Sequence, residues 1–326
     1  MPSKETVKKA LDAFNDLNII VIGDLMLDRY IWGKVSRISP EAPVPVVDVN
    51  EEAERPGGAG NVVLNLTSVG AKCVPIGIIG DDLDGAALTD QLAIHGATIT
   101  GVVCAENRPT TVKTRIIADN QHVVRIDHES VDQISPTVET ALLERIEKVI
   151  SSADAIILQD YNKGVMTKRV IHGAIELAKS NNIPVTVDPK FNNFFEYRGA
   201  TVFKPNLKEA ESALGRPLSN DQAIDRASGE LLARLQVDQV LLTRGSDGMT
   251  LYRMGKEMVH IPTQAQQIHD VSGAGDTVIS ILTLAIAAGI APDESARLAN
   301  ASAGYVVGEV GVVPITREAL LTMHED

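Results

Sequence analysis

Cysteine is nearly absent from this chain: two of 326 residues, Cys73 and Cys104, both in apolar segments and without CxxC spacing. That argues against a disulfide framework or a cysteine-held metal and predicts buried free thiols in a reducing compartment. Positive charge is also short, with 30 Lys and Arg against 43 Asp and Glu, a net charge of −13. Nucleic acid is therefore a poor partner, because its phosphate backbone needs a basic face, whereas a small phosphorylated substrate needs only a few local cations. No apolar run reaches membrane length, and the opening MPSKETVKKALDAF reads as a charged amphipathic helix without an apolar signal core. The expectation is a soluble, cytoplasmic protein. Several catalytic signatures are missing too: the Walker A loop, the HRD set of protein kinases, HExxH, any Cys/His cluster for zinc, and the GxSxG elbow.

What is present is alternation. Short apolar runs at 19–23, 74–79, 155–159, 184–188, 200–203 and 239–243 read as strands. Helical periodicity fills about 60–70, 83–95, 136–150, 167–180 and 220–236, with a closing set from 274 to 323. Buried strands separated by helices predict an α/β domain, a mostly parallel sheet covered on both faces. Residues 30–55 and 98–127 break the pattern with β-rich runs and no helix between them. They predict a small β-sheet projecting from a single domain of residues 1–326 as a lid, or else edge hairpins of the main sheet.

The motifs sit at strand ends. Asp24 follows the first strand, where an open α/β sheet places ligand-facing groups, though a turn cap also fits. Gly57-Gly58-Ala59-Gly60-Asn61 opens a helix after the first lid segment and reads as a ligand-facing loop or a tight turn. Lys163 in QDYNKGVMT and Lys190 in VDPK compete to hold a substrate phosphate, with Arg115 of the lid as a third candidate cation. In FKPNLKEAE, Asn206 and Glu209 have the spacing of a capping box. The functional alternative has them orienting waters on a Mg²⁺ carried by nucleotide phosphates, with the amides of Leu207, Lys208 and Glu209 facing the nucleotide. Thr243, Gly245 and Gly248 mark a turn that can lie against a nucleotide. The most specific stretch is DVSGAGDT, residues 270–277. Small residues leave the amides of a helix entrance open as an anion site, and an acid placed there, Asp276, suits a base that deprotonates a hydroxyl attacking a phosphate.

In this order the segments closely resemble the ribokinase-like, or phosphofructokinase B-type, carbohydrate kinases, from about Asn18 to Thr316. The resemblance rests on GGAGNVVLNLTSVGAKCVPIGIIGDDLDG at 57–85 and on DVSGAGDT. It implies ATP and Mg²⁺ as cofactors, Gly273, Ala274 and Gly275 as the anion hole, and Asp276 as the base. It further implies that Asp24, Gly57, Gly58 and Asn61 bind substrate hydroxyls. The nucleotide would lie against Asn206 to Glu209, Thr243, Gly245 and Gly248, with Asn300 near the adenine. Asp270 and Ser272 match part of a family K⁺ site, while Ile315 replaces a small polar ligand and Thr316 is its candidate substitute. The segments GDLMLDRYIWGKVSRISPEAPVPVV and DYNKGVMT look most like bacterial kinases of D-glycero-D-manno-heptose 7-phosphate, which act in ADP-heptose synthesis and often carry a following nucleotidyltransferase domain. Another sugar or sugar phosphate as acceptor, or a non-catalytic sugar-binding protein, are the alternatives. The Val- and Pro-rich lid predicts a homodimer joined through it.

Overall fold

The computed structural model describes residues 4–119, 121–263, 270–309 and 311–323. Asn120 in the second lid segment and His269 before the DVSGAGDT stretch lie outside the described residues. Helix α1 (Lys4–Phe14) and strand β1 (Asn18–Gly23) open the chain, followed by two long strands, β2 (Leu25–Ile38) and β3 (Pro45–Gly58). Next come α2 (Ala59–Ser68), β4 (Lys72–Gly80), α3 (Leu83–Ile94), β5 (Val102–Ala105), β6 (Val112–Ala118) and β7 (Gln121–His128). The middle holds α4 (Pro136–Val149), β8 (Ala155–Gln159), α5 (Lys168–Ser180), β9 (Val185–Asp188) and β10 (Val202–Phe203). The last third contains α6 (Leu207–Leu214), α7 (Asp221–Leu235), β11 (Gln239–Thr243), β12 (Met249–Arg253) and β13 (Val259–Ile261). Helices α8 (Ala274–Ala287), α9 (Pro292–Val306) and α10 (Arg317–Thr322) close it.

Nine strands form the main sheet in the order β13-β12-β11-β10-β9-β8-β1-β4-β5. Pairing is parallel from β11 through β5, and among the described residues β12 alone is reversed, antiparallel to both β11 and β13. The sequence of β1 shows why it is central. Ile19 to Ile22 are all fully buried, with Ile19 and Val21 in one apolar cluster and Ile20 and Ile22 in the other. Period-2 alternation thus supplies both faces from one apolar run, and each buried aliphatic side chain contributes roughly 1.5–3 kcal/mol. Helices α1, α2 and α8 pack over one face, α4, α5 and α7 over the other. Because these strands are parallel, the carboxyl ends of β1, β8, β9, β10 and β11 lie along one rim, where such folds place ligands.

A second sheet, of four strands in the order β3-β2-β6-β7, stands at the carboxyl end of β1. It corresponds to the expected small sheet with two differences. Residues 98–104 do not belong to it: Val102 to Ala105 pair in parallel with Gly77 to Gly80 and extend the main sheet instead. Its first two strands are also longer than 30–55, since β2 begins at Leu25 and β3 continues to Gly58. Strand pairing carries straight from the rim of the main sheet into the small one, leaving no linker for composition to reveal. The cysteine expectation holds by half: Cys73 is buried, but Cys104 on edge strand β5 is exposed. No helix among the described residues is long and apolar enough to cross a membrane.

Candidate active site

Five segments converge on one carboxylate. Gly273, with φ at +82°, ends the preceding loop in the left-handed region that glycine favours and lets α8 begin at Ala274. Asp276 therefore sits in the first turn of an apolar helix, and it is only 6% exposed. One of its oxygens accepts from Tyr161 Oη at 2.6 Å and from Gln159 Nε2 at 3.2 Å; the other accepts from Asn61 Nδ2 at 2.7 Å. Burial raises the Asp276 carboxyl to about 6, against the hydrogen bonds from Tyr161 and Asn61, with Asp188 adding to the rise and Lys204 opposing it. The Tyr161 phenol is pushed well above its usual range by burial and by the charge of Asp276, so it remains a donor at physiological pH.

Beside this carboxylate lies an ion pair that the motif reading passed over. Lys204 Nζ stands 3.0 Å from Asp188 Oδ1, with side chains 3% and 7% exposed. Gln159 Nε2 also donates to Asp188 Oδ2 at 3.1 Å, bridging the two acids, while its own Oε1 has no partner. A methyl added at Gly275 would lie 3.7 Å from Lys204 Nζ and 3.9 Å from Asp188 Oδ2, which puts the ion pair against the turn, where the Ala274 amide donates to Val271 O at 3.4 Å. A buried cation and a helix entrance then face the same space.

That space is a cavity of about 400 Å³. Its wall gathers Lys190, Asn206, Thr243, Gly245, Gly248, Gly273, Ala274, Gly275, Asp276 and Asn300, ten of the residues singled out from sequence. Asn300 Nδ2 donates to Pro262 O at 2.8 Å, and Ala303, Gly304 and Val307 of α9 continue a small-residue and apolar wall beyond it.

Other candidates fall elsewhere. Leu207, Lys208 and Glu209 do not line this cavity. Asn206 and Glu209 form the capping box, side chain to backbone in both directions at 2.9 and 2.8 Å, so the Glu209 amide is already taken. Glu209 also pairs with Lys190. Asp24 is 1% exposed and lies under the loop after β8. Its carboxylate accepts from the amides of Tyr161, Lys163 and Val165 at 2.7, 3.1 and 3.1 Å. That satisfies both oxygens and gives Asp24 the work of fixing the segment that presents Tyr161. Lys163 turns away, its ammonium 2.6 Å from Glu129. Gly57 and Gly58 end β3 with no room for a side chain, since a methyl at Gly57 would meet Asp28 and one at Gly58 would meet Met26 and the Asp24 carbonyl. Arg115, Asp270 and Ser272 line a separate cavity of about 650 Å³ between the small sheet and the DVSGAGDT turn.

A helix entrance beside a buried ammonium, a buried carboxylate and a cavity of about 400 Å³ thus meet at one rim of the sheet. The family model for pfkB family carbohydrate kinases matches residues 16–318. The chain belongs to that family. Among curated relatives, the bifunctional protein HldE of Geobacter sulfurreducens is 44% identical over 300 residues, covering 92% of this chain and 61% of the relative. The bifunctional protein HldE of Geotalea uraniireducens is 43% identical over 313 residues, covering 96% and 64%. The chain thus spans about three fifths of the length of these relatives. Among solved structures, Arabidopsis thaliana ribokinase complexed with ribose and ATP superposes with a TM-score of 0.75 at 20% identity, covering 95% of this chain and 99% of the other. Escherichia coli phosphofructokinase-2 in complex with potassium gives 0.80 at 18% identity, covering 94% and 98%. These two likenesses establish the fold as ribokinase-like.

For this carbohydrate kinase, the arrangement around Asp276 makes a pH prediction. With Asp276 as the proton acceptor only its ionised form is competent, so kcat/KM is expected to fall as pH drops through about 6. Tyr161→Phe removes a donor to that ionised form and is expected to move the acid limb up by about one unit. A pH–rate profile with an unmoved limb in the variant contradicts the role of Tyr161.

Proposed function

We propose that this chain transfers the γ-phosphoryl group of ATP to the anomeric hydroxyl of a sugar phosphate, D-glycero-D-manno-heptose 7-phosphate, giving the 1,7-bisphosphate for ADP-heptose synthesis. The observation that carries the transfer chemistry is Asp276, a buried carboxylate placed at an open helix entrance beside Lys204. The choice of acceptor rests on the resemblance of GDLMLDRYIWG and DYNKGVMT to heptose 7-phosphate kinases, supported by curated relatives named bifunctional protein HldE at 44% and 43% identity. On this reading the three fifths that match are the part of such a protein that phosphorylates the sugar.

In the reaction Asp276 takes the proton of the anomeric hydroxyl as its oxygen forms a bond to the γ-phosphorus. The bond from that phosphorus to the β–γ bridging oxygen breaks, and ADP leaves. Asn61, Gln159 and Tyr161 hold the base in place. Amides of Gly273 to Gly275 and the Lys204 ammonium face the transferring phosphoryl oxygens and stabilise the charge that develops there. The four-stranded sheet acts as a lid over the acceptor and excludes water, which would otherwise be phosphorylated in its place.

Mg²⁺ enters on the nucleotide phosphates in this scheme. Among the described residues no group of three His, Cys, Asp or Glu side chains forms a metal site, and Asn206 and Glu209 are engaged in the cap, so no step is assigned to a protein-held divalent ion. For K⁺ the fit is partial. Asp270 Oδ1 accepts from the Ser272 amide at 2.8 Å, Ile315 is fully buried, and the Thr316 hydroxyl caps α10.

The lid also proposes an assembly. One face presents Val49, Val124 and Ile126, 51%, 46% and 52% exposed. A second copy of the chain covering that face would give the homodimer. Light scattering at micromolar concentration is expected to return twice the chain mass, and a monomeric mass contradicts it.

The acceptor is tested by ADP release from Mg·ATP across a panel of free sugars and sugar 7-, 6- and 5-phosphates. Turnover confined to the heptose 7-phosphate is expected; preference for a hexose or pentose overturns the acceptor and keeps the transfer chemistry.

A further inference from the structure

The lid face opposite the apolar one carries side chains that phosphoryl transfer itself does not use. Strand pairing sets Tyr30 across from Arg115 on β6 and Asp28 across from Arg55 on β3. Since side chains alternate along a strand, Asp28, Tyr30 and Trp32 share one face with both arginines. Tyr30 and Trp32 stack with ring centroids 5.5 Å apart and planes 13° apart. Each guanidinium lies over the Tyr30 ring, Arg115 at 5.2 Å and Arg55 at 6.0 Å from its centroid. These groups front the cavity of about 650 Å³, whose other wall includes Asp270, Ser272 and Val312.

Both guanidiniums keep N–H donors beyond the one nitrogen each engages. Arg55 donates to the Val312 carbonyl at 2.8 Å, a neutral partner. Arg115 is matched by Asp28 through one nitrogen, Nη1, at 2.6 Å. A guanidinium carries five N–H donors in a planar fork that suits phosphate oxygens. Lys163 and Lys190 each carry a single ammonium, and it is paired directly with Glu129 and Glu209. The position also suits the acceptor. Val312, which anchors Arg55, packs where a methyl at Gly273 would meet it, at the head of the catalytic turn.

We propose that Arg55 and Arg115 grip the phosphate of the acceptor, the one remote from the reacting hydroxyl, with the Tyr30–Trp32 plate supporting the carbon skeleton between them. A flat aromatic pair takes the apolar C–H edges of a sugar, and two permanent cations take a dianion through charge-assisted hydrogen bonds. This rests on the reading that the acceptor is a sugar phosphate, and it transfers the phosphate-binding role from Lys163 and Lys190 to the lid.

The test is steady-state kinetics of wild type, Arg55→Gln and Arg115→Gln with the heptose 7-phosphate and with the free heptose. Each substitution is expected to raise KM for the phosphorylated sugar by about 10–100-fold. The expected kcat stays within a few-fold and the KM for ATP does not change. Arg115→Lys, which keeps a charge opposite Asp28 but loses the fork, is expected to fold and still to show the raised KM. Unchanged KM values in the glutamine variants, with wild type active on the phosphorylated sugar, overturn the proposal alone. Equal turnover of free and phosphorylated heptose by wild type overturns it together with the sugar phosphate reading.

Discussion

Asp276→Asn is expected to lower kcat by about 10²–10⁴-fold or more while ATP still binds, because asparagine keeps the shape of the side chain and cannot accept the hydroxyl proton. The structure makes the separation clean. Asp276 touches Asn61, Gln159 and Tyr161 through its carboxylate, whereas the wall around Thr243, Gly248 and Asn300 is built from other elements. Nucleotide affinity measured by calorimetry is therefore expected to change little. Loss of turnover together with loss of ATP binding would instead mean that the substitution had collapsed the α8 entrance.

Lys204→Met is the second substitution with a large expected effect, and it acts in two ways. Methionine fills much of the space but leaves Asp188 buried with Gln159 as a donor and without its directly paired cation, Lys190 being the remaining charge that acts on it. Removing one member of a buried pair costs about 3–5 kcal/mol. Turnover is also expected to fall sharply, since the ammonium that stands beside Asp188 at the Gly275 side of the turn is gone. The double variant Asp188→Leu with Lys204→Met separates the two effects. A buried pair exchanged for apolar groups of similar volume is often neutral in stability, so melting is expected to recover while activity does not. Recovery of both would make the pair structural only.

How much of this was legible in the sequence depends on what each feature is made of. The main sheet was readable because β1, β8 and β11 carry unbroken aliphatic runs, and β4 an apolar one interrupted by Pro75 and Gly77, a direct consequence of burial on both faces. The small sheet was visible as β-rich sequence without helices. Its limits were not, because residues 98–104 carry the same composition whether they pair with β4 or with the lid. Asp276 was legible for a chemical reason, an acid standing among small residues at a helix entrance. Lys204 was not, since Lys before Pro-Asn looks like any strand end until burial shows its ammonium 3.0 Å from Asp188. The same rim rule that selected Asp24 applies to Lys204, Asp188 and Tyr161. Only pairing and hydrogen bonds show that Asp24 supports its loop through three amides while Tyr161 reaches Asp276. Lys163 and Lys190 were attractive as isolated cations, and the partners Glu129 and Glu209 are 34 and 19 residues away in the chain, beyond any local pattern.

The measurement that tests the account most directly is phosphorus NMR of the product formed from Mg·ATP and D-glycero-D-manno-heptose 7-phosphate. A new phosphate resonance coupled to the anomeric proton is expected, with the 7-phosphate retained and one ADP formed per bisphosphate. A product phosphorylated at any other carbon, or ADP accompanied only by inorganic phosphate, would contradict it.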